Sequence, residues 1–351
     1  MSDTAPARIG AFTGAVLIAA LTFYLLIEGR DLLIPLAVAI VIWYLLNALA
    51  DFFDRIPVIG EKIPHWITLI GAVLIVLVAM ALVAELISDN IAQVAAAAPA
   101  YQANFEKLIQ GASRMAGFEQ TPDFAKIADE INVRQLISGL AATIAGFAGS
   151  LGIVLVYVLF LLIEQGSFEK KLDALFPNAE KRQDVRILLH RMQVQIQSYV
   201  AIKTLASVAT GGISYIILLI VGVDFAAFWG FVIFLLNYIP TIGSLLGILL
   251  PTLLAVVQFA TIGPVLAVII GGGATQFLIG NVIEPRLMGT SLNISPLVVL
   301  ISLAVWGTIW GLAGMFLSVP LTMIAMIIFS HFAATRPIAI ILSGNGEIER
   351  S

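Results

Sequence analysis

Between Thr204 and Thr335 the chain carries only three charged residues, Asp224, Glu284 and Arg286. A soluble core does not absorb so long an uncharged, apolar run, since soluble domains are roughly a quarter charged. The solvent for this half must be lipid. The whole chain agrees, at 60% hydrophobic and 11% charged residues and a mean hydropathy of +1.04. Yet helix breakers interrupt the run. The stretch NYIPTIGSLLGILLP (237–251) holds two prolines and two glycines, and WGTIWGLAG (306–314) holds three glycines. Hydrocarbon offers no partner to backbone groups released from a helix, so such breaks persist only where protein buries them or where they line a polar cavity.

Four further apolar segments, near 10–28, 31–51, 66–88 and 140–164, are each about the 20 residues that cross a bilayer. The first follows a single basic residue, Arg8, with no clear cleavage site, which predicts a retained span rather than a removed signal peptide. The segment 89–139 is different. Ile91, Val94, Ala98, Tyr101, Phe105 and Leu108 form an apolar stripe among acids and bases, which predicts one or two amphipathic helices outside the cytoplasm. The segment 165–203 is basic, with Lys170, Lys171, Lys181, Arg182, Arg186, Arg191 and Lys203. Its charge predicts a cytoplasmic location, with both termini on the same side. Lys203 is expected to snorkel at the interface.

The second half divides into two similar parts. Residues 204–260 and 262–330 are each a span, a short connection and a long apolar segment broken near its centre. PTLLAVVQF (251–259) also matches PLTMIAMIIF (320–329) weakly. With the basic-residue topology, the two parts run in opposite directions, an inverted repeat of the kind found in secondary transporters. The expected fold is an all-α polytopic membrane protein of about six full spans plus two broken, re-entrant hairpins. A rival reading lets 242–259 cross fully. The expected parts are N-terminal spans over 1–88, the amphipathic region 89–139, the fourth span with a cytoplasmic helix over 140–203, a transport core over 204–335 and a cytoplasmic tail over 336–351.

The breaks are expected to meet at a cavity. Asn237, Tyr238, Pro240, Thr241, Gly243, Ser244, Gln276, Asn281, Thr308, Gly311 and Gly314 are the candidate translocation residues, supplying side-chain hydrogen bonds or free backbone groups. Glu284 and Asp224, the only carboxylates here, are candidates for ion or proton coupling. Their competing structural roles are a helix cap for Asp224 and a local pair with Arg286 for Glu284. His65, His190 and His331 are isolated in sequence and no cysteine is present, so no metal site is expected. There is no phosphate-binding loop, no H-E-x-x-H and no nucleophile elbow, so neither an enzyme nor ATP-driven pumping is expected. No cofactor is implied. Without a basic stripe, nucleic acid is not an expected partner.

Three segments carry a family resemblance: QIQSYVAIKTLAS (195–207), NYIPTIGSLLGILLP (237–251) and GNVIEPRLMGTSLNISPLVVLISLAVWGTIWGLAGMFLSVPL (280–321). They resemble the autoinducer-2 exporter (AI-2E) family of bacterial membrane proteins. The resemblance implies an inner-membrane exporter of the quorum signal autoinducer-2 and a homo-oligomer, a pentamer. It also leaves open sodium(lithium)/proton antiport, which some members are assigned. The scarcity of titratable groups favours a small polar solute. A non-transporting scaffold built on 89–139 is the remaining alternative.

Overall fold

The computed structural model describes residues 4–56, 63–115, 149, 151–259, 261–289 and 293–347. Among these residues the chain is helical throughout: α1 (Thr4–Glu28), α2 (Arg30–Asp54), α3 (His65–Met115), α4 (Leu151–Gln165), α5 (Phe168–Leu175), α6 (Ala179–Val221), α7 (Ala226–Leu236), α8 (Ile242–Phe259), α9 (Ile262–Leu278), the π-turn Ile279–Ile283, α10 (Glu284–Met288), α11 (Pro296–His331) and α12 (Arg336–Leu342). Six helices are long and apolar enough to cross a membrane, and α4 with α5, bent by 64°, is a further candidate. The fold is therefore an all-α polytopic membrane protein. Many large apolar side chains are exposed, among them Leu21, Phe160, Ile220 and Ile270, as lipid-facing surfaces require.

The helices run beyond two of the expected segments. The span expected over 66–88 falls on the apolar part of α3, His65–Leu86, and the same helix continues past it to Met115. The amphipathic region is thus the extension of a span, and its remainder, 116–139, lies outside the described residues. The basic segment leads, as its helical spacing predicts, into the following span, the two forming the 43-residue α6.

The chain forms two compact units, each assembled from separated segments. One comprises Met1–Trp43, Gly152–Met192 and Asn293–Ser351; the other comprises Tyr44–Leu151 and Gln193–Leu292. The first unit packs Ile309, Trp310 and Leu317 against Leu26, Leu33 and Val38. Trp310 Nε1 donates to the Leu26 carbonyl at 2.8 Å, satisfying an acceptor that the last turn of α1 cannot. The second unit is centred on Leu218, Phe228, Trp229, Ile233, Ala255 and Val268. Gly211 and Gly230 let α6 and α7 touch backbone to backbone: a Cβ on Gly211 would lie 2.6 Å from the Gly230 carbonyl oxygen, the close approach that small residues permit between membrane helices.

Both broken segments fold back on themselves. In the second unit, Thr241 takes a left-handed φ of 62°, and a Cβ on Gly247 of α8 would lie 3.7 Å from Ile233 of α7. In the first unit, α11 passes through Gly311 at φ 61°, ψ −140°. Ser302 Oγ then donates to the Ser318 carbonyl at 3.0 Å, although these residues would stand about 24 Å apart on a straight helix. α11 is consequently a hairpin rather than one long span. Its arm 296–310 is about 22 Å long, short of a roughly 30 Å hydrocarbon core.

The same device closes both turns. A Cβ on Gly243 would fall 1.7 Å from the Leu236 carbonyl oxygen, and one on Gly314 would fall 1.9 Å from that of Trp306. Alanine at either position is expected to cost at least about 3 kcal/mol, as overpacking against backbone has no cheap escape. The check is the melting temperature and gel-filtration profile of the purified protein. Gly212→Ala, where nothing lies within 4 Å of the new Cβ, should leave both unchanged. A Gly243→Ala protein that melts like the wild type would exclude this turn geometry.

Candidate functional site

The first break needs few outside partners for its backbone. Asn237, Tyr238 and Ile239 donate N–H groups back to Ile233, Leu235 and Leu236, and Ile242 and Gly243 donate to Pro240 and Ile239. Pro240 has no N–H to satisfy. The reversal is thereby sealed against lipid, which leaves its side chains to bond elsewhere.

Those side chains meet α6. Asn237, 4% exposed, donates from Nδ2 to Ser207 Oγ at 3.0 Å. Tyr238 donates its hydroxyl to Thr204 Oγ1 at 2.7 Å, and Thr204 donates on to the Val200 carbonyl. One residue before Thr204, Lys203 Nζ donates to Glu284 Oε1 at 2.7 Å, with side chains only 8% and 13% exposed. Buried Tyr199 sits one turn earlier on the same helix. Glu284 reaches this position because the chain passes through the π-turn Ile279–Ile283. The extra residue in that turn rotates the helix beyond it, as such bulges often do at functional sites. Pro285 comes immediately after Glu284.

This arrangement corrects two expectations and decides against one alternative. Lys203 does not snorkel; its ammonium is buried against a carboxylate. Glu284 does not close on Arg286, since its partner is 81 positions earlier in the chain. Asp224 is not the helix cap, a position that Phe225 occupies with φ 58°. Instead Asp224 Oδ2 accepts the Tyr101 hydroxyl at 2.7 Å, and its N–H donates to Gln258 Oε1 at 2.8 Å. Gln258 in turn donates to the Gly222 carbonyl. Asp224 thus ties the long α3 to the α6–α7 turn. Burial, with the neighbouring Asp224 carboxylate, pushes the Tyr101 phenol well above its ordinary range, so it remains a donor.

Of the remaining candidates, Gln276 is buried beside Gly247 and Gly243 forms the turn. Thr241 and Asn281 are exposed, while Pro240 and Ser244 are half-buried. Thr308, Gly311 and Gly314 belong to the other compact unit. Thr308 spends its hydroxyl on the Ala304 carbonyl one turn back, an ordinary use of threonine within a helix. His65 is not isolated: its Nδ1 lies 2.6 Å from Asp54 Oδ2, and Asp51 offers a second oxygen, the three ligand atoms all within 4.8 Å of one another. Asp51 also accepts from Gln197 at 2.6 Å.

Sequence reasoning missed Lys203, Thr204 and Ser207. Their spacing held a signal. Residues 203, 207 and 210 recur at three and four, and 214 comes after another four, so Lys203, Ser207, Thr210 and Ser214 place a polar stripe on one face of an otherwise apolar span. All four are buried. The cluster also joins three distant stretches, 195–207, 237–251 and 280–321.

Residues 14–334 match the sequence profile described as AI-2E family transporter. The chain is 28% identical over 319 residues to the AI-2 transport protein TqsA of Escherichia coli (strain K12), an alignment covering 90% of each chain. A Borreliella burgdorferi relative named "Putative transport protein" is 36% identical over 205 residues, just over half of each chain at 58% and 56%. This match, over most of the chain, identifies it as a member of the AI-2E transporter family.

Proposed function

We propose that the chain exports a small polar solute such as autoinducer-2 across the bacterial inner membrane, without ATP. The observation that carries this reading is the polar cluster at the first helix break. Lys203 and Glu284 compensate each other's charge, and the groups beside them, Asn237, Tyr238, Thr204 and Ser207, are neutral hydrogen-bonding side chains. Such a lining suits an uncharged solute that exchanges hydrogen bonds as it passes. The name of the relative TqsA points to the same cargo. Both termini are cytoplasmic in this reading, the two hairpins are re-entrant from opposite sides, and the working unit is a homo-oligomer.

A second reading, sodium/proton antiport, draws on the same buried pair. A cation that binds Glu284 must displace the Lys203 ammonium, which would couple the two by charge. Proteoliposomes separate the readings. With labelled autoinducer-2 and labelled sodium offered under a pH gradient, the wild type should accumulate the signal and leave sodium at the background of empty vesicles. Asn237→Ala should slow that uptake several-fold. Sodium-driven proton movement that vanishes in Glu284→Gln would select antiport instead.

The pair also makes a stability prediction. Lys203→Met leaves a buried carboxylate unpaired and should destabilise the protein by about 3–5 kcal/mol, whereas the double variant Lys203→Met with Glu284→Gln should recover most of that loss. Thermal unfolding of the purified variants reads the difference. Equal stability of the single and double variants would show that the pair is not desolvated.

A further inference from the structure

Gln276 lies about halfway along the candidate span Ile262–Met288. Its residue surface is 6% exposed, and its Oε1 is buried with no hydrogen-bond partner among the described residues. An acceptor left unpaired in an apolar interior costs about 1–3 kcal/mol. The polar side chains around the first break, Asn237, Tyr238, Thr204, Lys203 and Glu284, all have partners, so this orphan calls for an explanation. The carboxamide lies at a cleft lined by Ser214 of α6, Ile233 of α7, Gly247 and Pro251 of α8, and Val268 and Gln276 of α9. Gly247 makes room for it: a Cβ there would stand 3.2 Å from Gln276 Nε2. The cleft is partly open, and its interior has about the room of one water molecule, enough for a hydroxyl group. No charged residue lines the cleft. A sodium ion, which needs several oxygen ligands, would find too few side chains to replace its water. Along the same helix, Gln276 stands two turns from Glu284, about 12 Å by helical rise.

We propose that this cleft is a subsite for one hydroxyl of an uncharged solute, with Gln276 Oε1 as the acceptor and the adjoining carbon atoms resting against the apolar residues at its open side. The assignment deepens the solute-export reading and rests on it. It separates the path into two chemistries: a neutral hydroxyl site in the apolar walls, and the compensated Lys203–Glu284 pair two turns away. A site built to accept a hydroxyl discriminates against a ligand of equal size that lacks one, because the buried acceptor is then left unpaired.

Two isomers test this directly. Butane-2,3-diol has two O–H donors, and 1,2-dimethoxyethane, of the same composition, has none. Saturation-transfer NMR on the full-length protein in lipid nanodiscs should show the diol binding about tenfold more tightly, the worth of roughly one hydrogen bond. Gln276→Leu should erase the preference. Gly247→Ala, which displaces the flexible carboxamide rather than backbone, should reduce it while preserving the melting temperature. Isomers that bind the wild type alike, or a preference that survives in Gln276→Leu, would overturn the assignment and leave the cleft to a resident water. Parallel flux measurements keep the two ideas apart. Wild-type protein that moves autoinducer-2 without distinguishing the isomers removes the subsite alone. Protein that binds the diol through Gln276 but moves no autoinducer-2 removes the export reading alone.

Discussion

Inside hydrocarbon, a backbone N–H or carbonyl that leaves a helix has only protein to bond to, and each one left over costs several kcal/mol. The described structure is organised around two places where the chain nevertheless turns within an apolar segment. At the first, five short-range N–H donations between Ile233 and Gly243 absorb the reversal. At the second, Gly311 alone takes the backbone conformation that a side chain would resist, and Ser302 satisfies the Ser318 carbonyl. Gly243 and Gly314 then allow each hairpin to close to backbone contact. With the reversals sealed, the polar side chains around the first break are released to bond one another.

What they form is an ion pair with a neutral surround. Burying Lys203 and Glu284 is expensive, and their mutual attraction offsets that expense only while both are present. The pair therefore adds little to stability compared with apolar residues of the same size. It does hold the π-turn of one segment against α6, and it places two charges in an apolar interior without adding net charge.

Much of this organisation was legible in the sequence. The near-absence of charge over 204–335, the matched breaks and the basic segment at 165–203 led to a polytopic helical protein with two interrupted segments; Asn237 and Tyr238 were singled out from their place in the first, and Gln276 as a polar residue of the span between them. The misses share one cause. Lys203 looked like an interfacial residue and Asp224 a cap, and the structural alternative weighed for Glu284 was its neighbour Arg286, because a sequence displays local partners first. Their true partners are 81 positions away for Lys203 and Glu284, and 123 for Asp224 and Tyr101.

The sequence by itself determined the solvent and the places where helices must stop, because hydropathy, proline and glycine act over a few residues. Only the tertiary structure decided who bonds to whom. In an apolar interior a polar group must find a partner wherever the fold brings one, so pairing depends on proximity in space rather than in sequence. The same rule makes Gln276 stand out, since its acceptor, buried by residues from four helices, is one the fold itself leaves unpaired.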